Sequence, residues 1–329
     1  MTSLKTTFLG IPINNPVVIG SSGLTGNVKN IVALEKAGAA AVVLKSIFEE
    51  EIQLEFKKTW NNLETIDFHN QEFLDYYDYE IKKEVINNYT QLIREAKESV
   101  SIPVIASINC MGSSEWVNFA KKIEDAGADG IELNIFKLPF SNKLDSEMIE
   151  KSYFDIIKSI RSKVNIPIGI KISPFITNLG GFIQKISQLD VQGITLFNRF
   201  YNLDFDIEQE KVISGNIFSQ DRDYHNTLRW TSLMSPRVKC NLSASTGIHD
   251  SETAMKMIYA GATSTQIVSV VYELGNSQIK HILDGIEGWM QRKGYKTIQE
   301  FRGKLSQSTS TDPEHYERVQ FMKYFGEHH

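Results

Sequence analysis

Polar side chains stand where apolar runs end in this sequence, and Lys171 is the clearest case. It lies near the end of the run 166–173, which is otherwise apolar apart from its final serine. Such a run is typical of a strand buried on both faces of a parallel sheet. An unpaired ammonium buried there costs several kcal/mol, so we expect Lys171 to end the strand and point into a polar site. The alternative is a lysine that reaches from the strand end to water.

Comparable polar residues end the other apolar runs. An asparagine at such a position caps a turn more often than it binds a ligand, and a serine is less informative still. If the runs are strands of one barrel, however, two lysines and three asparagines share one rim, which favours a binding site. In chain order these residues are Ser21, Ser22, Gly23, Lys45, Ser46, Asn109, Asn134, Lys171, Ser173, Asn198, Arg199, Ser245, Thr246, Gly247 and Ser269.

This set of side chains suits a narrow range of chemistry. Amide side chains recognise ring edges that carry both donors and acceptors, and a lysine stabilises negative charge that develops on such a ring. The serine, threonine and glycine residues after the seventh and eighth runs match the place where barrels hold a phosphate. A phosphorylated heterocycle stabilised as an anion describes reduced FMN. The sequence has no metal-ligand spacing, no Walker motif and no nucleophile elbow.

The elements that would position these residues recur along the chain. Ala-Gly-Ala at 37–39, 126–128 and 260–262, and Ile-Pro at 102–103 and 166–167, each precede a strand-like run and mark helix-to-strand junctions. Eight strand candidates alternate with helix-length segments, which predicts an α/β fold of the (β/α)8 TIM-barrel type, with a doubly wound sheet as the alternative. Strands six and seven are predicted at Val191–Phe197 and Val238–Leu242, and helices at about Val28–Lys36, Lys82–Ser99, Ser114–Asp125, Glu150–Lys163, Gly181–Leu189, Ser251–Tyr259 and Ile279–Arg292.

An N-terminal hairpin and two long connections depart from the repeat. The short segments Lys5–Phe8 and Ile11–Ile13 flank Leu9-Gly10, which predicts the hairpin. The segments Phe48–Tyr79, after strand two, and Asn198–Asn226, after strand six, are longer than ordinary barrel loops. Long connections of this kind are usually lids or binding loops. We expect both at the C-terminal rim of one FMN-binding domain that spans residues 1–329.

Composition and charge narrow the partners and the compartment. A net charge of −5 and a pI of about 5.9 disfavour nucleic acid as the main partner. The two cysteines, Cys110 and Cys240, suggest neither a disulfide framework nor a structural zinc site and suit a reducing compartment. The N-terminus lacks the apolar segment of a signal peptide, and no run approaches the length of a membrane span. We therefore expect a cytoplasmic protein without a membrane segment.

One set of motifs runs through nearly the whole chain. It comprises Asn15-Pro16 with Ser22-Gly23, Ala37-Gly38-Ala39 with Lys45-Ser46, Glu132-Leu133-Asn134, Gly169-Ile170-Lys171, Asn198, Thr246-Gly247-Ile248, and the closing stretch from Lys293 to Gly303. With these motifs the sequence resembles the FMN-dependent dihydroorotate dehydrogenase family, and the closing stretch is the most specific part. The resemblance implies a barrel with FMN on its C-terminal rim. It also implies hydride transfer between a CH–CH bond of a small, pyrimidine-type ring and flavin N5, in pyrimidine biosynthesis.

The same resemblance assigns roles to the residues at the strand ends. It implies that Lys171 and Asn134 contact the isoalloxazine and that Lys45 lies near both flavin and substrate. It places Asn198 on the substrate side. The other implied cofactor contacts are Ser21, Ser22 and Gly23 along the flavin, then Ser46 and Asn109, and finally Thr246, Gly247 and Ser269 at the phosphate.

The loop after the fourth strand departs from the family's pattern. The family has a catalytic cysteine or serine there, followed by Pro-Asn, whereas this loop is Ile135–Ser141, with Phe140 after the proline. Lys137 lies closest to the expected base and, with Lys45, is the candidate catalytic residue. A lysine serves as a base only if burial or a neighbouring cation lowers its pKa towards neutrality. We therefore expect oxidation of dihydroorotate to be very slow or absent.

Other functions are compatible with the same residues. Lys171 or Lys45 could form a Schiff base, as in a barrel lyase or aldolase. The chain could instead be a flavin-binding subunit without its own substrate, and any iron–sulfur centre would then belong to its partner. A flavin-dependent tRNA reductase is disfavoured by the acidic charge. For the leading function we expect a small-molecule substrate, an electron-transfer partner protein and a homodimer.

Overall fold

The strands of the computed structural model form a barrel and two separate hairpins. The structure describes residues 2–48, 71–109, 115–138, 140, 144–200 and 202–318. In chain order the strands are β1 Thr6–Phe8, β2 Ile11–Ile13, β3 Val17–Ile19, β4 Ala41–Val43, β5 Ile47–Phe48, β6 Val104–Asn109, β7 Gly130–Asn134, β8 Ile168–Ile172, β9 Gly193–Leu196, β10 Leu203–Asp206, β11 Lys211–Ser214, β12 Asn241–Ser245 and β13 Ser264–Ile267.

Eight of these strands close into a parallel barrel in the order β3-β4-β6-β7-β8-β9-β12-β13, because β13 pairs with β3. β5 adds a short extension against the end of β6. The strands β1 and β2 form one antiparallel hairpin, and β10 and β11 form the other. The predicted (β/α)8 barrel and N-terminal hairpin are therefore confirmed.

Helices follow the barrel strands and pack against their outer faces. They are α1 Val28–Lys36, α2 Gln71–Ser99, α3 Glu115–Asp125, α4 Ser146–Arg161, α5 Leu179–Ile186, α6 Tyr224–Met234, α7 Ser251–Ala260, α8 Ser269–Leu274, α9 Ser277–Lys293 and α10 Glu314–Glu317. The three Ala-Gly-Ala junctions behave as predicted, since Gly38, Gly127 and Gly261 have φ angles of 108°, 94° and 116° and so occupy the left-handed conformation that ends a helix. None of the helices in the described ranges is long and apolar enough to cross a membrane.

The barrel interior is apolar at the N-terminal end and polar above it. Leu9, at the turn of the β1–β2 hairpin, fills the space beside Gly169 and Gly193, where any added Cβ would overlap its side chain. Phe8, Leu9 and Ile13 form a separate core cluster with inward residues of the first strands. The hairpin therefore closes the N-terminal end of the barrel, and polar side chains line the interior between the hairpin and the C-terminal rim.

The predicted bounds of one barrel strand were wrong, and one helix was not predicted. The seventh barrel strand is Asn241–Ser245 and not Val238–Leu242. Its inward positions carry Ser243 and Ser245, whose polar side chains do not match the apolar pattern of a buried strand, although Ser243 is buried and accepts a hydrogen bond from Ser264. Ser243 can lie inside the barrel because its hydroxyl has this partner, and Ser245 lines the cavity at the rim. Helix α6 was also missed, since its apolar positions are interrupted by polar residues.

The long connections after the second and sixth strands are confirmed, with more structure than a loop. Residues 49–70 of the first connection lie outside the described range, and its last part already belongs to α2, which begins at Gln71. The second connection contains the β10–β11 hairpin. In that hairpin, Leu203 and Phe205 lie on one face with Val212, while Asp204, on the other face, pairs across the strands with Ile213.

Candidate active site

A cavity of about 280 Å³ opens at the C-terminal rim of the barrel. Loops after five strands form it, including those after β3, β9 and β12. The residues that line it are Ser21, Ser22, Lys171, Asn198, Arg199, Ile217, Phe218, Ser219, Ser245, Thr246, Gly247, Ile248, Gln266, Ile267, Val268, Ser269 and Tyr272. Most of the residues predicted from the strand ends are therefore brought to one cavity.

Strand register aligns the central residues of the site. Asn109, Asn134, Lys171 and Thr195 are successive Cα partners across β6, β7, β8 and β9. Residues that are partners in neighbouring parallel strands point to the same side of the sheet. These four side chains therefore all face the barrel interior, immediately below the rim.

Lys171 is buried beside a carboxylate. Its side chain donates a hydrogen bond of 2.9 Å to Gln266 Oε1, and Nζ lies 4.0 Å from Glu132 Oε1. Glu132 is fully buried, and its Oε2 accepts from Thr195 Oγ1 at 2.8 Å and from Gln266 Nε2 at 2.6 Å. Glu132 Oε1 has no hydrogen-bond partner among the described residues. The ammonium therefore balances the charge of a carboxylate that lies inside the barrel.

Asparagine and serine side chains continue the polar wall in both directions from Lys171. Asn198 Nδ2 donates to Asn134 Oδ1 at 2.8 Å, which links the ends of β7 and β9. On the other side, Ser21 Oγ lies 2.9 Å from Ser46 Oγ, which lies 2.7 Å from the hydroxyl of Ser107. The serine chain holds the ends of the first three barrel strands together and leaves Ser21 at the cavity.

A buried tyrosine anchors the serine chain. The hydroxyl of Tyr89, on α2, accepts from the backbone N–H of Ser107 at 2.8 Å and donates to its carbonyl at 3.2 Å. Burial raises the pKa of Tyr89 well above its usual range, so the phenol stays protonated and keeps both bonds. Helix α2 is in this way tied to the strand that carries Asn109.

The other end of the cavity is built from backbone and hydroxyl groups. Thr246 and Gly247 have φ angles of 80° and 73°, and a Cβ on Gly247 would collide with the backbone of Tyr224 at the start of α6. Ser269 Oγ accepts the backbone N–H of Ser219 at 2.9 Å. The side chain of Tyr272 approaches Gly23 so closely that a Cβ there would meet its hydroxyl at 2.7 Å. These close approaches account for Gly23 and Gly247 at the rim.

Seven predicted residues are not among those that line the cavity, namely Gly23, Lys45, Ser46, Asn109, Asn134, Lys137 and Ser173. Lys45 is exposed, with its stem beside Gly26. Lys137 Nζ donates to Ser152 Oγ at 2.9 Å, which directs it towards α4. Asn109 lies in the strand register described above but is not part of the lining. Of the predicted loop Ile135–Ser141, positions 139 and 141 lie outside the described residues.

The sequence alone did not single out several residues of the site. Glu132 and Gln266 complete the environment of Lys171, and Ser219 and Phe218 line the cavity. Glu132 carried a signal, because a carboxylate inside an apolar strand needs a partner just as Lys171 does. Ser219 lies in a long connection, where neither hydrophobic periodicity nor a glycine or proline at an element boundary indicates its position.

The fold and the cavity define a class of protein, namely a (β/α)8 barrel enzyme whose site at the C-terminal rim combines a buried lysine, amides and hydroxyls. A profile of the family described as dihydroorotate dehydrogenase matches residues 3–290. The chain therefore belongs to the dihydroorotate dehydrogenase family.

Relatives cover the chain almost from end to end. It is 25% identical to the catalytic subunit of dihydroorotate dehydrogenase B (NAD(+)) of Thermoplasma acidophilum, over 92% of this chain and 99% of the relative. It is 25% identical to dihydroorotate dehydrogenase A (fumarate) of Lactococcus lactis, over the same shares of each chain. A third relative, the B-type catalytic subunit of Methanocaldococcus jannaschii, is 26% identical over 91% of this chain and 97% of its own length.

Proposed function

We propose that this protein is an FMN-dependent oxidoreductase that transfers a hydride between a carbon of a small ring substrate and the flavin. The observation that carries the proposal is the buried ammonium of Lys171 at the cavity wall. Among the described residues it has one hydrogen-bond acceptor, Gln266 Oε1, although an ammonium donates up to three bonds. An acceptor in the cavity that gains negative charge during the reaction would use the remaining donors.

The donor and acceptor groups around the cavity fit FMN at both ends. Lys171 and Asn198 supply donors at the end below the rim of β8 and β9, where a ring with carbonyl and imine acceptors would lie. Ser269 would supply a hydroxyl, and Thr246 and Gly247 backbone N–H groups, at the opposite end, which suits a phosphate; the Thr246 hydroxyl itself donates to the Phe197 carbonyl at 3.3 Å. When bound, FMN supplies the two-electron acceptor for a hydride.

The chain's own residues would orient the substrate and exclude water. Because Asn198 Nδ2 already donates to Asn134, the Asn198 carbonyl and its second N–H are available to a substrate. Phe200 contacts Phe136 and Phe175, with ring centroids 5.4 and 5.1 Å apart. The three rings belong to the loops after β7, β8 and β9, so we propose that this aromatic cluster keeps water from the substrate side of the site.

Extraction of the bound chromophore tests the cofactor. We expect FMN, because no dinucleotide fingerprint is present and the cavity ends in a single group of phosphate donors. Recovery of FAD, or of no flavin after reconstitution with excess FMN, would refute the proposal.

Lys171→Met should also lower the reduction potential of bound FMN, because it removes a positive charge that stabilises the reduced anion. An unchanged potential in a variant that still binds FMN would remove Lys171 from this role.

We further propose that dihydroorotate is a poor substrate. Oxidation of a CH–CH bond needs a group that removes a proton, and such bases contribute about 10²–10⁴-fold. The candidate base, Lys137, donates a hydrogen bond to Ser152 and is not one of the residues that line the cavity. Anaerobic mixing of FMN-loaded protein with excess dihydroorotate should bleach the flavin very slowly or not at all. Full bleaching within milliseconds would show that another group acts as base, and Lys137→Ala would then test this lysine directly.

The exposed surface and the cysteine content support two proposals about the partners of this chain. Leu203, Phe205 and Val212, on one face of the β10–β11 hairpin, are 56%, 62% and 67% exposed. We propose that this face is covered in a homodimer, because such an apolar ribbon surface is otherwise left in water. With two cysteines in the whole sequence, a four-cysteine iron–sulfur centre for reoxidation would have to lie in a partner protein.

A further inference from the structure

Ser219, His249 and Glu273 form a polar cluster at the phosphate end of the cavity. Ser219 is 5% exposed and lines the cavity. Its Oγ lies 3.1 Å from His249 Nε2, and His249 Nδ1 lies 3.6 Å from Glu273 Oε2. Because the three residues belong to the loop after β11, the loop after β12 and helix α8, only the fold brings them together.

Neighbouring contacts hold this cluster in place. The backbone N–H of Ser219 donates to Ser269 Oγ at 2.9 Å. On the far side, Gln278 Nε2 donates to the backbone carbonyl of His249, also at 2.9 Å. Phe218, next to Ser219, stacks on Tyr272 with ring centroids 5.4 Å apart. The hydroxyl of Ser219 is therefore held beside Ser269, the residue proposed above to bind phosphate.

We infer that Ser219 donates a hydrogen bond to the phosphate of FMN and that His249 is the residue that positions its hydroxyl. This inference rests on the proposed FMN site. Fully ionised phosphate oxygens only accept hydrogen bonds, so Ser219 must donate its proton to the ligand. His249 Nε2 then donates to Ser219 Oγ, which requires the tautomer that carries its proton on Nε2. His249 would thus favour the orientation of the serine that a phosphate requires and a neutral ligand end does not.

The same three groups stand in the order of a nucleophile, a base and an orienting acid. A separation of 3.6 Å between His249 Nδ1 and Glu273 Oε2 is longer than a hydrogen bond. The imidazole is therefore not oriented as it is in an acyl-transfer triad. Anchoring of a ligand is the role that the distances support.

The comparison of FMN with riboflavin isolates the phosphate, since the two differ only in that group. Affinities of flavin-free protein for both ligands can be measured by quenching of flavin fluorescence. Ser219→Ala should weaken FMN binding by about 10- to 100-fold, the usual effect of one hydrogen bond to a charged group, and leave riboflavin binding unchanged. His249→Leu should act in the same direction, and His249→Gln, which keeps a donor near the position of Nε2, should restore much of the loss. The ³¹P signal of bound FMN should shift in Ser219→Ala and His249→Leu.

The exposed Ser214→Ala on the hairpin is the matched control and should leave both affinities and the ³¹P signal unchanged. The ratio of the two affinities within one variant cancels any general loss of folded protein. Equal losses for FMN and riboflavin, or no loss for either, would overturn the inference while leaving the FMN site intact. If the wild-type protein bound neither ligand, the proposed function itself would fail, and this inference with it.

Discussion

The buried pair of Lys171 and Glu132 gives the sharpest test of how this site is held together. At an effective dielectric constant of about 20, unit charges 4.0 Å apart interact by roughly 4 kcal/mol. Removing one partner of a buried pair costs about 3–5 kcal/mol because the other charge is left uncompensated. Lys171→Met should therefore lower the free energy of unfolding of the flavin-free protein by about that amount.

A double-mutant cycle separates the charge effect from lost packing. Glu132→Gln removes the carboxylate that Lys171→Met leaves behind, so the double variant should regain most of the lost stability. Urea denaturation followed by circular dichroism measures the four proteins. A cost below about 1 kcal/mol for Lys171→Met, or a double variant no more stable than this single variant, would refute the reasoning.

A surface pair provides the control for that cycle. Lys151 and Asp155 form an ion pair on α4 at a shorter distance, 2.5 Å, but their side chains are 73% and 54% exposed. Water screens such a pair, and exposed pairs contribute only about 0–1 kcal/mol. Lys151→Met should therefore change stability by less than about 1 kcal/mol. The contrast would show that burial, and not the N–O distance, sets the importance of Lys171.

Three further predictions concern the rest of the molecule. Leu9→Ala should lower stability by about 2–5 kcal/mol in urea denaturation, because it opens a cavity at the closed end of the barrel; a loss below about 1 kcal/mol would show that the hairpin turn does not fill that space. Burial raises the pKa of the Cys240 thiol to about 11. In a Cys110→Ser variant, alkylation of Cys240 in the native protein should therefore be slow at pH 8 and faster towards pH 11, and it should become rapid once urea is added. Fast labelling of the folded protein at pH 8 would contradict this prediction. Phe205→Asp should turn the proposed dimer into a monomer in light scattering after size exclusion, whereas Asp204→Ala on the opposite face should not, and a monomeric wild type would contradict the proposed dimer.

The strand ends were predictable because each is marked locally. A strand-like run ends at or beside each of Asn134, Lys171 and Asn198, and parallel strands bring such ends to one rim. The shift of the seventh strand shows the limit of this reasoning. Ser243 lies inside the barrel beside the hydroxyl of Ser264, and Ser245 lies at the cavity. Neither neighbour can be identified from the sequence of the strand itself.

Lys45 and Lys171 show what the sequence determined and what the tertiary structure decided. Both lysines end apolar runs, so the sequence placed both at the rim and in the same candidate site. In the fold, β8 continues through Lys171 and its alternation points the side chain inward, whereas β4 stops at Val43 and Lys45 turns to solvent. Hydrophobic periodicity and the glycine and proline residues at element boundaries are local features, so they can be identified from the sequence. Which side chain finds a buried partner depends on residues far away in sequence, as Glu132 and Gln266 are from Lys171, and only the closed barrel brings these together.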